Sequence, residues 1–260
     1  MDIKLRMIRE HNRIYKFWMR LLWRLYGMES PIVLMVHGFK PSKEDCKNAF
    51  EMTRASFEKL LQHLVSQGWH AMKYEELKEM VQTRKWKQKH FYLTFDDTYD
   101  TVYTEAYPIL LQLQIPFTMF VTKGLVDTPG FITSEHLKEL SQSHLCRIGC
   151  HGLEHKVFRN LRPEQMQRQC VEEKEWLEST LGVTVDSFAF PYGRVIEVSN
   201  HNRRQIRNMP FRIAFSAIEG SLRAEWFTGK HFLPRVNVSE RFVERFTAGK
   251  WLRFKDCEGL

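Results

Sequence analysis

The sequence holds few cysteines and no CxxC pair. The five present, Cys46, Cys146, Cys150, Cys170 and Cys257, are odd in number, which argues against a disulfide framework and for a reducing compartment. No export signal opens the chain, and no stretch is both long and apolar enough to span a bilayer. The N-terminal stretch Lys4 to Tyr26 brings Phe17, Trp18, Met19, Leu21, Leu22, Trp23 and Leu25 together, but Arg20 and Arg24 interrupt it. Residues 1–28 read as a basic amphipathic helix that either packs on the domain or rests on a membrane surface through residues 4–26. The expected location is cytoplasmic, with room for peripheral contact on the inner membrane face. Internal repeats, low-complexity linkers and Gly-rich or aromatic-basic nucleic-acid motifs are also missing. A nucleic-acid partner is therefore not expected, although the net charge is +8. The basic residues are interleaved with Asp and Glu, a pattern suited to solubility or weak steering.

The chain has 260 residues, 43% of them hydrophobic and 27% charged, enough for one large core over residues 29–260. Short apolar runs alternate with helical periodicities. Pro31 to Val36 predicts a first strand ending at His37-Gly38, and residues 40–53 a polar loop over that end. A helix begins near Ser56, with Phe57, Leu60, Leu61 and Leu64 on one side and Gly68 as its stop. A second, shorter helix covers Tyr74 to Val81. The run FYLTFDDTYD, residues 91–100, is a buried strand that ends in Asp96 and Asp97. A helix over 101–113 carries Pro108 inside it, which predicts a kink. Strands follow at 117–121, 147–150, 187–190, 211–215 and 232–238, with helices between them, among them a long one from Pro163 to Leu181 and another over 196–206. This alternation predicts an α/β fold of βαβ units. Polar residues recur at the strand C-termini, where such folds carry their sites.

Two stretches carry chemistry. Side chains alternate in direction at a strand end, so Asp96 and Asp97 are free to do different things, one binding a metal while the other handles a proton. In HGLEH, residues 151–155, a tight loop or a helical turn brings His151 and His155 together. Two imidazoles and the Asp97 carboxylate make a donor set for Zn²⁺ that leaves a position for water. The stretch lacks the Glu of HExxH and is not a zincin helix. Cys146 and Cys150 beside it read as core filling, with a fourth metal ligand as the alternative. Trp69, Trp86, Trp176, Trp226 and Trp251 are candidates for stacking on a ligand, with Trp226, in a late loop beside Phe227, first among them.

Residues 31–240 resemble the polysaccharide deacetylase family, also called the NodB-homology or carbohydrate esterase family 4 group. VLMVHG (33–38), TFDDTY (94–99), AYPILLQLQIPFTMFVT (106–122), IGCHGLEH (148–155) and FAFPYG (188–193) follow the family's motifs in order. The resemblance implies a distorted (β/α) barrel, seven-stranded rather than eight. It also implies divalent-metal-dependent removal of N-acetyl groups from amino sugars, so the expected partner is an N-acetylated saccharide or sugar-lipid. It gives Asp96 the role of base, and Asp97, His151 and His155 the metal. Tyr192, in the turn Pro191-Tyr192-Gly193, would supply the oxyanion N–H. Four departures stand out. Thr98 replaces the usual Gly, Gly152 the usual hydroxyl residue, and Ala189 an Arg that orients the base. Late in the chain, Leu233-Pro234-Arg235 replaces Leu-x-His. Arg235 remains protonated and is expected to steady negative charge or hold Asp96; if it faces the site, its loss should cost turnover much more than stability. His37 and His231 are the spare acids. The opposed reading is a weakened or inactive relative that only binds glycan.

Overall fold

The structure, a computed structural model, describes residues 29–249; the predicted helix over 1–28 and the positions Cys257 and Trp251 lie outside them. Among the described residues ten strands are seen: β1 (Ile32–Val36), β2 (Phe39–Lys40), β3 (Met52–Thr53), β4 (His70–Ala71), β5 (His90–Phe95), β6 (Phe117–Val121), β7 (Cys146–Cys150), β8 (Ser187–Ala189), β9 (Ile213–Glu219) and β10 (Leu233–Asn237). β1 pairs in parallel with both β5 and β10. The ring β1-β10-β9-β8-β7-β6-β5 therefore closes as a seven-stranded parallel barrel, with β4 added outside on β5. This is the distorted barrel that the resemblance implies.

Both faces of each barrel strand are buried, which is why the strands read as unbroken apolar runs. Alternation along them still sorts the side chains. Ile32, Leu34, Phe91, Leu93, Phe117 and Met119 form one continuous core with the outer helices. Val33, Tyr92, Phe120, Phe215 and Leu233 form a separate layer, the filling of the barrel. Helix Tyr74–Thr83 adds Leu77, Met80 and Val81 to that layer. The Tyr74 hydroxyl donates to the carbonyl of Asp186, just before β8, at 3.3 Å. The end of the barrel where the strands start is thus plugged, and the opposite end opens into a cavity.

Several helices differ from the sequence expectation for local reasons. Helix Arg54–Ser66 starts two residues before Ser56, because Thr53 is its cap and accepts the Ser56 N–H. Pro108 stands at the start of helix Tyr107–Leu113, preceded by a π turn at Val102–Ala106, so it is not inside an unbroken α-helix. The long helix from Pro163 is interrupted by another π turn, Arg168–Glu172, before it resumes as Glu173–Leu181. Ser199, as a cap, moves the next helix start to Asn200. Residues 40–53 are not wholly loop: β2 and β3 pair there and carry that segment over the open end. Among the described residues no helix is long and apolar enough to cross a membrane.

Candidate active site

The open end holds a cavity of about 570 Å³ lined by His37, Asp96, Asp97, Tyr99, His151, His155, Tyr192 and Arg194, with Phe39, Lys40, Asn48, Phe50 and Glu51 from the segment above. β1, β5, β7 and β8 deliver these residues from their C-terminal ends, the side on which βα loops build sites in such barrels.

Along β5, Tyr92, Thr94 and Asp96 fall on one face by the two-residue period. Along β10, Leu233 and Arg235 do the same. Arg235 is 1% exposed and Asp96 2%, and inside the barrel they form a bidentate pair. The guanidinium donates to Oδ1 of Asp96 at 2.7 Å and to Oδ2 at 2.6 Å. It also donates to the Thr94 hydroxyl at 3.1 Å and to the Ser216 carbonyl at 2.7 Å. Burial pushes the Asp96 carboxyl up, but Arg235, together with His151 and His37, outweighs it and holds the group below the usual carboxylate range. Ala189 is small and buried in the same inner layer, so the guanidinium comes from β10 instead of β8. Arg235 is not a surface cation.

Asp97 and Thr98 both adopt left-handed backbone, φ 65° and 61°. That is a physical reason for glycine at the second position in the family, since a β-branched residue is strained there. Thr98 is held by two bonds: its hydroxyl accepts the Thr122 N–H at 2.7 Å and its carbonyl accepts that of Ile132 at 2.9 Å. The reversal separates Asp97 from its neighbour and sets its Oδ1 3.2 Å from Nε2 of His151 and 2.8 Å from Nε2 of His155. Burial raises the Asp97 carboxyl, and the two imidazoles more than reverse this, holding it well below its ordinary value. In the loop after β7, Gly152 has φ 92° and His155 φ 47°. The left-handed turn at 152 explains Gly in place of a hydroxyl residue.

Asp97, His151 and His155 form the one cluster among the described residues in which ligand atoms for a metal converge, all within 4.8 Å of one another. The donor chemistry fits a divalent ion. His151 donates Nδ1–H to the Ala189 carbonyl at 2.8 Å, which leaves the lone pair on Nε2 facing Asp97, as metal-binding histidines require. Burial lowers the His151 imidazole, but Asp96 and Asp97 reverse that and raise it.

Tyr192 has φ 60° and packs its ring 4.8 Å from that of His155. No acceptor among the described residues takes its N–H. Pro191 and Gly193 do not line the cavity. They are buried behind Tyr192, where the Gly193 N–H donates to the Pro191 carbonyl at 2.7 Å and shapes the turn. A Cβ on Gly193 would lie 2.5 Å from the Ala217 nitrogen. His37 lines the cavity with its ring 4.8 Å from Phe50. Its Nδ1 is buried without a partner, and burial lowers its pKa despite Asp97 and Asp96.

His231 is elsewhere, 3.2 Å from the Phe211 carbonyl. Trp226 belongs to helix Glu225–Thr228, which Glu225 ties to Arg84 at 2.9 Å beside the plugging helix. That helix is at the far end from the cavity; the Trp226 side chain is outside the described set. Cys150 is fully buried in the core, and Cys146 joins no metal cluster. The residues missed from the sequence are Thr94 and Ser216, which steady Arg235; the segment over 40–53 lies over the open end as expected. Only the alternation Tyr92-Thr94-Asp96 offered a signal for either missed residue.

Residues 83–214 match the family model described as polysaccharide deacetylase. The chain belongs to that family, whose (β/α) barrel the described residues form. The Staphylococcus aureus poly-β-1,6-N-acetyl-D-glucosamine N-deacetylase is 24% identical over 225 residues, 80% of this chain and 74% of the relative. The structure of IcaB from Ammonifex degensii is 26% identical with a TM-score of 0.72, covering 85% of this chain and 96% of that one. The Streptococcus pyogenes deacetylase PplD, solved in complex with acetate, superposes with a TM-score of 0.75 over 86% of this chain and 99% of its own, at 22% identity; that likeness speaks to the fold.

Proposed function

We propose that this chain is a zinc-dependent hydrolase that removes an N-acetyl group from an amino sugar of a surface glycan or its precursor. One observation carries the reading. Asp97, His151 and His155 converge in the same cavity in which Asp96 is held by Arg235. The polysaccharide deacetylases among its relatives, including the N-acetylglucosamine polymer deacetylase, support an N-acetylated saccharide as substrate.

Asp97, His151 and His155 would hold the ion; two imidazole nitrogens and a carboxylate oxygen suit Zn²⁺. Bound there, a divalent ion supplies Lewis acidity toward an acyl oxygen and lowers the pKa of water. Asp96 removes the proton of the attacking water, since each of its oxygens keeps a lone pair after Arg235 has bonded it. Arg235 fixes the plane of that carboxylate and keeps it ionised. The Tyr192 N–H donates to the oxygen on which negative charge develops. His37, on the cavity wall, relays to the departing amine nitrogen the proton that Asp96 has taken, accepting it on one ring nitrogen and donating from the other.

The inactive glycan-binding alternative rested on the missing Arg at 189 and the missing late His. Arg235 supplies the guanidinium from another strand, which removes the first of those grounds. Acetate release from a panel of N-acetylated glycans and sugar-lipids, with and without a chelator, tests the reading. Chelator-sensitive release is expected; no release from any member by zinc-loaded protein would overturn it.

A further inference from the structure

Glu173 is fully buried and no cation among the described residues pairs with it. Burial pushes its carboxyl up to about 8, only partly opposed by the hydrogen bonds that replace its water. Both of its oxygens are used, and both on loop backbone: Oε2 accepts the Gly152 N–H at 2.6 Å and Oε1 the Lys123 N–H at 3.1 Å. One turn earlier, the Gln169 side chain accepts the Glu154 N–H at 3.1 Å and donates to the Glu154 carboxylate at 2.7 Å. The Gln169 main-chain carbonyl accepts the Leu153 N–H at 3.2 Å. All three N–H groups between His151 and His155 are therefore taken by two residues of one helix. The π turn Arg168–Glu172 lies between the two helical segments, and such turns often mark functional positions.

We infer that Glu173, with Gln169, is a positioning residue that holds the loop between His151 and His155 in the shape a metal ion needs. The inference rests on the metal-binding reading of Asp97, His151 and His155. The loop cannot hold this shape by local preference, because Gly152 and His155 are in left-handed backbone. The clamp supplies what the local chain lacks. Through Lys123 it also joins this loop to the one after β6. A Gln at 173 has one acceptor oxygen for two N–H donors, so one of them must face an NH₂ group.

The test uses the full chain, Glu173→Gln, and Met166→Ala as a control that loosens the same helical region away from the loop. Zn²⁺ affinity is read by competition with a chelating dye, and backbone exchange by hydrogen–deuterium measurement on metal-free protein. Glu173→Gln should weaken Zn²⁺ binding by roughly 10- to 100-fold, the range for groups that orient ligands, and speed exchange at residues 152–154. Met166→Ala should lose thermal stability yet keep zinc affinity within about twofold of the parent, outside that range. Unchanged affinity and exchange in Glu173→Gln would overturn the inference, as would an equal loss of affinity in the control. If the parent itself takes no zinc, the metal reading fails, and the exchange rates at 152–154 still decide whether Glu173 holds the loop. Should Glu173→Gln not fold, Gln169→Glu replaces it. That variant keeps the acceptor for Glu154 but sets two carboxylates together, and its faster exchange should centre on residue 154.

Discussion

Replacing Arg235 by Met should be costly for the fold as well as for catalysis. The guanidinium is almost fully buried and makes four hydrogen bonds, two of them to Asp96. Arg235→Met leaves Asp96 as an uncompensated charge inside the barrel, and breaking one side of such a pair costs about 3–5 kcal/mol. Asp96→Asn strands the guanidinium in turn, with Thr94, Ser216 and one amide oxygen as remaining acceptors. The double variant has neither charge to strand. It should be no less stable than Arg235→Met alone, so the coupling energy at least equals the cost of Asp96→Asn alone. The assay is a double-mutant cycle by urea unfolding in the presence of a chelator, so that metal binding does not add to stability. Two single losses that simply add, or an Arg235→Met cost below about 1 kcal/mol, would refute the reasoning, since a buried pair cannot behave that way. The expectation from sequence that turnover would suffer much more than stability gives way here, because Arg235 supports the core and Asp96 at once.

Asp96→Asn should lower acetate release by about 10²- to 10⁴-fold, the usual contribution of a positioned base, while metal content stays near that of the parent; retained turnover would remove Asp96 from the role. Thr98→Ala keeps the left-handed backbone and loses the bond to Thr122, whereas Thr98→Gly loses the bond but relieves the backbone. Thermal unfolding should therefore find the Ala variant the less stable by about 1 kcal/mol, and the reverse order would contradict the account of Thr98. Glu240 accepts from Ser56, from the Thr53 N–H at 3.0 Å and from Lys43 at 3.1 Å. Burial pushes its carboxyl up, and these donors more than offset that, so it lies below its ordinary 4.5. A depressed carboxylate stabilises above its unfolded pKa, and the contribution fades as pH falls through the folded value. Glu240→Gln should thus lower the melting temperature at neutral pH, with the gap closing below about pH 4.5; a gap that persists or widens in acid would be inconsistent with a bonded carboxylate.

Much of the site was legible because its parts are short and local. Asp96-Asp97 and His151 follow apolar strands, and a strand that ends in a charge announces a rim. The left-handed positions were visible only as departures, at Thr98 and Gly152, whose meaning needed the φ angles. Trp226 shows the limit of composition. An aromatic residue in a late segment looks available to a sugar, yet its helix is tied to Arg84 at the plugged end. Gln169 and Glu173 were invisible as a pair, because helical periodicity describes an unbroken helix and a π turn divides this one.

The sequence by itself determined the alternation of strands and helices, the order of the family's motifs, and which side chains could bind a metal or take a proton. These follow from local pattern, since a strand's period and an apolar run's end are properties of neighbouring residues. Only the tertiary structure decided who meets whom. Closure of β1 onto β5 and β10 brings Arg235 to Asp96 across 139 residues of chain, and it separates Asp96, turned into the barrel with Arg235, from Asp97, turned to the histidines. Burial then fixes the charges, because inside the barrel each group has its protein partner in place of water.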